Sequence, residues 1–294
     1  MYKVSVPAST ANLGPGFDCL GLALSLVNDF YVEESDAVTS NLVYNAYIRV
    51  LSLREKLSGQ KARSHGLSLK IDTGVPVSRG LGSSATCIIA GAIAGNLLHP
   101  ELSVKLTAEE LFRECTDLEG HPDNVAPALF GGLRASMMTE EGPVSVALKL
   151  HENFRFAVLI PDYEVSTQEA RSILPESYSR KDAVSALSHA VLLSSALGCG
   201  DPELLRLSAQ DCIHEPYRKQ LIPGFDEMKT ACEKAGAHSF LISGSGSTCL
   251  AIYSGEGFME NLKVQLKEMK CSAIWTVKEV QPVFTSCLDL VEKV

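Results

Sequence analysis

The chain has 294 residues, of which 46% are hydrophobic and 21% charged, with a formal net charge of −9. These proportions fit a globular protein with a full core, long enough for two domains. The acidic balance argues against nucleic acid as a partner, and no uninterrupted apolar run reaches the roughly 18 residues that a membrane span needs.

The opening Met1-Tyr-Lys-Val-Ser-Val-Pro lacks the apolar core of a signal peptide and reads as a strand over 2–7. Nine cysteines form no C-x-x-C pair, and Cys87, Cys232 and Cys249 sit in apolar contexts. They read as reduced core residues of a cytoplasmic protein, not as disulfides or a zinc site. A second strand is expected over 19–34. Between the two, Pro7-Ala-Ser-Thr-Ala-Asn12-Leu-Gly14-Pro-Gly16-Phe-Asp18 places an amide and a carboxylate on a glycine-rich turn, where Asn and Asp are also ordinary turn formers. A helix follows over 41–57. Alternation of Leu67, Leu69 and Ile71 with Ser68, Lys70 and Asp72 then marks a strand over 67–73.

The segment Pro76-Val77-Ser78-Arg79-Gly80-Leu81-Gly82-Ser83-Ser84-Ala85-Thr86 leads from that strand into an apolar helix over 84–98. A loop of small residues at a helix N-terminus offers unpaired N–H groups and the positive end of the helix dipole, both suited to phosphate. Arg79 is its sole basic residue. A triphosphate would therefore depend on backbone amides and on Mg²⁺ held by oxygen ligands. Gly80 to Ala85 also satisfies the relaxed dinucleotide pattern G-x-G-x-x-A, with Glu101 at about the distance of a ribose-binding acid. That reading needs a strand after the helix, whereas Thr107-Ala-Glu-Glu110 is a capping box that starts another helix over 107–118. No Gly-Lys-Ser/Thr follows the glycines, so a Walker loop is excluded.

Next comes Leu118-Glu119-Gly-His121-Pro-Asp123-Asn124-Val-Ala-Pro127, with four polar groups on what reads as a helix cap at Gly120 and a loop. An apolar run through Phe130-Gly131-Gly132-Leu133 enters a strand-like 134–138. Turn formers at 140–143 and polar residues at 151–153 place a boundary near 145–155, giving domains 1–150 and 151–294. The second half opens on a buried strand over 154–160. Helices are expected at 183–197, 202–213 and 223–235, strands at 238–243 and 248–253, a helix at 257–270 and a last strand at 272–280. Asp201 with Pro202 marks one helix start and Gly236 one stop. Ile242-Ser243-Gly244-Ser245-Gly246-Ser247-Thr248 forms a small-residue loop between the two strands. Helices interleaved with antiparallel strands make the class α+β.

In this order, the N-terminal P-x-S-x-A-N-L-G-P-G-F-D segment, the central P-x-x-x-G-L-G-S-S-A loop and the late glycine-serine loop resemble the GHMP kinase family, from about residue 4 to at least residue 250. The resemblance implies a two-domain α+β fold. Its N-terminal nucleotide-binding domain would be like domain 2 of ribosomal protein S5, and its C-terminal domain a ferredoxin-like α/β plait. It also implies transfer of the ATP γ-phosphoryl to a small molecule. Ala11–Asp18 and Gly120–Pro127 match most closely the members whose acceptor is L-homoserine, with O-phospho-L-homoserine and ADP as products on the route to threonine.

On this resemblance Pro76, Val77, Ser78, Arg79, Gly80, Leu81, Gly82, Ser83, Ser84, Ala85 and Thr86, with Thr167, would bind ATP, while Ser84 and Glu119 would hold Mg²⁺. Asn12 and Asp18 would take the hydroxyl and amino end of the acceptor. Arg171 and Arg218 would take its carboxylate, a task for which the planar guanidinium fork suits arginine better than lysine. His121 would line the same pocket. Asn124 stands where many relatives carry a catalytic aspartate, so the expected mechanism is direct attack by the acceptor hydroxyl, oriented by Asn12, with Asp123 as the rival base. The family further implies a homodimer. The alternatives are a family member acting on mevalonate, a sugar or shikimate, and a catalytically silent ligand-sensing relative.

Overall fold

The computed structural model describes residues 1–268 and 273–294. Its backbone is a long hairpin, β1 (Tyr2–Leu13) and β2 (Gly16–Ser35), turning at Gly14 and Pro15. β1 pairs antiparallel with β2 from Gly16 to Val32, and register shifts at Pro7/Ala8 and Ala11/Leu13 bend the ribbon. β3 (Gly66–Asp72) pairs with the outer end of β2, and β4 (Leu133–Thr139) with its inner end near Gly21. β5 (Gly142–Leu148) joins β4.

Four helices cover one face of this sheet: α1 (Leu42–Ser58), α2 (Ser83–Leu97), α3 (Ala108–Glu119) and α4 (Pro122–Phe130). Their shared core packs Val4, Val6, Phe30 and Val32 against Ile89, Ile93, Val125 and Leu129. α2 is apolar nearly all round, as a helix surrounded by protein must be. Its Gly91 lets α1 lie close, since a Cβ there would come within 2.0 Å of the Val43 carbonyl.

The second sheet contains β6 (Arg155–Pro161), β7 (Ala237–Ile242), β8 (Cys249–Tyr253) and β9 (Trp275–Val280) in the order β7-β8-β6-β9. Its helices are α5 (Thr167–Ser172), α6 (Arg180–Cys199), α7 (Pro202–Ser208), α8 (Glu215–Arg218), α9 (Phe225–Ala235) and α10 (Phe258–Glu268). α9 and α10 cover one face through Phe225, Met228 and Leu262. The other face, with α6 and α7, packs against the open face of the first sheet through Leu22, Leu24, Val158, Leu197 and Leu250. The chain ends by returning to its start, where β10 (Val291–Lys293) pairs with β1. Every strand pair among the described residues is antiparallel. α2 is followed by α3 with no strand between, which removes the dinucleotide-fold alternative.

Several elements differ from expectation. The stretch after Gly120 is helix α4, not loop: Pro122 occupies its first turn, where a missing N–H costs nothing. The helix expected over 202–213 ends at Ser208, and Asp211 then accepts the N–H groups of His214 and Glu215 to start the short α8. Strand β5, helix α5 and strand β10 were not expected. The outer ends of the helix over 257–270 and the strand over 272–280 fall at residues 269, 270 and 272, outside the described residues. Although no uninterrupted apolar run spans it, α6 has the length and mean hydropathy of a membrane-crossing helix, while Leu193, Ala196 and Leu197 on its inner side pack into the core between the sheets. The eight described cysteines are free, four of them buried.

Candidate active site

The loop from Val77 to Ser84 is held by its surroundings. Ser9 N–H donates to the Leu81 carbonyl, the Ser243 hydroxyl to the Gly80 carbonyl at 2.6 Å, and Thr248 N–H to the Arg79 carbonyl. Gly80 (φ +71) and Gly82 (φ +68) sit in left-handed backbone with no room for a side chain. A Cβ would lie 2.1 Å from the Ser243 carbonyl and from Ser9 Oγ, respectively. Asn41, Thr107, Ser166, Ser179 and Asp201 cap other helices with their side chains, whereas α2 starts at Gly82 with no side-chain cap. Its leading N–H groups are left for a ligand.

This loop forms one wall of a cleft of about 320 Å³ lined by Val77, Ser78, Arg79, Gly80, Gly82, Ser83 and Ser84 on that side. Asn12, Glu119, His121, Asn124, Thr167, Arg171, Arg218, Gly244 and Ser245 complete it, with Leu42 from α1 and Cys87 from α2. Pro76, Leu81, Ala85 and Thr86 do not line it. The Thr86 hydroxyl is committed to the Ser83 carbonyl and to the Asn28 amide that donates to it. Arg79 borders the cleft, but its guanidinium reaches the Pro161 and Asp162 carbonyls and pairs with Glu164 at 3.1 Å.

The Ser84 hydroxyl donates to Glu119 Oε2 at 2.8 Å, bringing together a hydroxyl from the first turn of α2 and a carboxylate from the last turn of α3. Burial raises the Glu119 carboxyl above the usual range despite this bond. A partly buried carboxylate with a hydroxyl partner, next to an uncapped helix N-terminus, is a hard-oxygen donor set of the kind Mg²⁺ takes.

At the opposite end, Asn12 (φ +57) donates from Nδ2 to the Gly244 carbonyl at 2.9 Å and accepts the Asp18 N–H at 2.8 Å. Its second amide N–H has no partner among the described residues. Asp18 does not itself line the cleft. Its carboxylate takes both guanidinium nitrogens of Arg171, at 2.8 and 3.1 Å, and this pair raises the Arg171 pKa. Arg218, 1% exposed, donates to the carbonyls of Ala170 and Gly244, both at 3.0 Å. Burial, reinforced by the neighbouring Arg171 charge, lowers its pKa to about 10. His121 precedes the first residue of α4, and its Nδ1 bonds to Oδ1 of the fully buried Asp123. Burial works against the imidazolium, but the Asp123 bond and charge prevail and raise its pKa. Asn124 accepts the Ser9 hydroxyl at 2.8 Å.

One cleft thus joins an uncapped helix N-terminus to an acid and two guanidinium groups carried by remote segments. Residues 41–132 match the family described as GHMP kinases N terminal domain, and residues 196–269 the one described as GHMP kinases C terminal. The chain belongs to the GHMP kinase family. Among GHMP kinases it is 38% identical to the homoserine kinase of Clostridium acetobutylicum, over 96% of this chain and 97% of that one. It is 43% identical to the homoserine kinase of Microchaete diplosiphon, over 85% of this chain and 84% of that one. The crystal structure of homoserine kinase from Cytophaga hutchinsonii superposes with a TM-score of 0.82 at 29% identity, covering 96% of this chain and 95% of the other.

Four contributors to the cleft carry no expected role from the sequence: Gly244, Ser245, Leu42 and Cys87. The Gly244 carbonyl, bonded by both Asn12 and Arg218, lay in a loop read only as a motif. Leu42 and Cys87 carry no chemical signal in the sequence that would draw attention to them.

Proposed function

We propose that this GHMP kinase transfers the γ-phosphoryl group of ATP to the side-chain hydroxyl of L-homoserine, giving O-phospho-L-homoserine and ADP. The observation that carries the reading is the two-ended cleft: amides and the Ser84–Glu119 pair at one end, Arg218 and the Asp18-held Arg171 at the other. An α-amino acid needs an anionic partner for its ammonium and a guanidinium fork for its carboxylate. Asp18, His121 and Asp123 bring ligand atoms within 4.8 Å of one another, which puts two carboxylates beside the acceptor end, one paired with Arg171 and the other with His121. The identity to homoserine kinases over nearly the whole chain supports the same acceptor.

In this reading the α2 N-terminus and the loop amides bind the ATP phosphates. Ser84 and Glu119 would hold Mg²⁺, which supplies charge neutralisation to the phosphate chain. The free N–H of Asn12 and the Asn124 amide orient the acceptor hydroxyl. Its oxygen attacks the γ-phosphorus, the bond to the ADP oxygen breaks, and the proton leaves late to solvent or to the transferred phosphate. A loose transition state asks more for positioning than for a base. Asp123, at 0% exposure and bonded to His121, sits as a supporting group.

The test is Mg²⁺-dependent ADP release with homoserine, mevalonate, galactose and shikimate as acceptors. Homoserine should be used far better than the rest, and equal use of any other would overturn the proposal. Asp123→Asn should keep kcat within about tenfold, whereas a loss of about a thousandfold, as for an acid–base group, would restore Asp123 as base.

A further inference from the structure

Three side chains gather around one aromatic ring beside the acceptor end of the cleft. The Phe17 ring centroid lies 5.7 Å from the guanidinium carbon of Arg171 and 5.0 Å from that of Arg218. The His214 imidazole stacks on the same ring, with centroids 5.4 Å apart and planes 30° apart. His214 is itself fixed, since its Nε2 contacts the Gly14 carbonyl at 2.9 Å and its ring has no solvent exposure. The turn bearing Phe17 is therefore clamped from behind, just ahead of the acid that grips Arg171.

Each guanidinium group is held by two hydrogen bonds to its own partners, and among the described residues none links the two groups to each other. Asp18 takes two nitrogens of Arg171, and the carbonyls of Ala170 and Gly244 take two of Arg218. Like charges this close repel, which is one cause of the lowered Arg218 pKa. An aromatic face attracts a guanidinium through its quadrupole and offers a flat surface to lie on. An aliphatic residue of similar size would fill the space without attracting either group.

We infer that Phe17 is a positioning residue for carboxylate recognition, its ring holding Arg171 and Arg218 together so that one carboxylate meets both. This rests on the proposal that the acceptor is an amino acid whose carboxylate docks on these arginines. The sequence reading passed over Phe17 because an apolar residue in a glycine-rich turn carries no chemistry of its own.

The decisive experiment replaces Phe17 with fluorinated phenylalanines of increasing fluorine content, which keep the shape while draining the ring face of negative charge. KM for L-homoserine should rise stepwise, reaching about tenfold when the cation attraction is gone. KM for ATP and kcat should stay within about twofold. Phe17→Leu should match the most fluorinated form, and Phe17→Tyr should restore the native KM. With 3-amino-1-propanol, which lacks the carboxylate, kcat/KM should not follow the series. Flat homoserine KM values across the series, or an equal loss with both acceptors, would overturn the inference. Failure of the native enzyme to favour homoserine over 3-amino-1-propanol would instead overturn the proposed carboxylate contact, whatever the variants do.

Discussion

At the proposed phosphate end, the protein meets its ligand with main chain: two left-handed glycines, an uncapped helix and a loop bonded through its carbonyls to neighbours. At the proposed acceptor end it presents side chains, with Asp18, Arg171, Arg218 and His121 supplied by four separate segments. The single arginine of the phosphate loop is turned away to Glu164. Amides and a metal can serve any nucleotide triphosphate, so the first end is generic. The second, on the proposed reading, would read the charges of one acceptor, and specificity would be concentrated there.

Substitutions can break or sharpen this contrast. The largest effect is expected from Glu119→Gln, which removes a charge from the proposed metal pair. kcat/KM should fall by about 10²–10³, as for loss of a preorganised electrostatic group, and titration should show a raised Mg²⁺ requirement. An unchanged Mg²⁺ dependence would move the metal elsewhere.

Asp18→Asn should act at the other end alone. Losing a charge-assisted hydrogen bond costs about 1.5–3 kcal/mol, so KM for the acceptor should rise by roughly 10–100-fold while KM for ATP stays level. A parallel rise in both constants would erase the division between the two ends. The smallest effect belongs to Arg79→Ala. KM for ATP should change by less than about threefold, and the melting temperature should drop by about 2 °C from lost contacts worth about 1 kcal/mol. A large loss of ATP affinity would show that the phosphate end does use a side-chain cation.

The same contrast explains what could be read from the sequence. The phosphate loop, α2 and the capping box of α3 were legible because glycines, serines and cap residues act on neighbours a few positions away. α1 came out within a residue for the same reason, with Asn41 before it and Gly59 after it. α4 was hidden because Gly120 does end α3, and the restart two residues later reads as loop unless Pro122 is taken as a start signal. β10 has three residues and no periodicity, and only its distant partner makes it a strand. Nothing local links Asp18 to Arg171 or Asn12 to Gly244. The acceptor end was therefore assembled from family resemblance, and Phe17 dropped out because its value lies entirely in its neighbours.

The pairing of β10 with β1 makes the first sheet depend on segments far apart in the chain. Synthesis delivers the amino-terminal hairpin early, but β1 keeps an open outer edge until residues 291–293 follow. An open β edge invites pairing with other chains. The nascent chain therefore carries that exposed edge until residues 291–293 have been made, and a premature stop shortly before Val291 would leave it permanently unsealed.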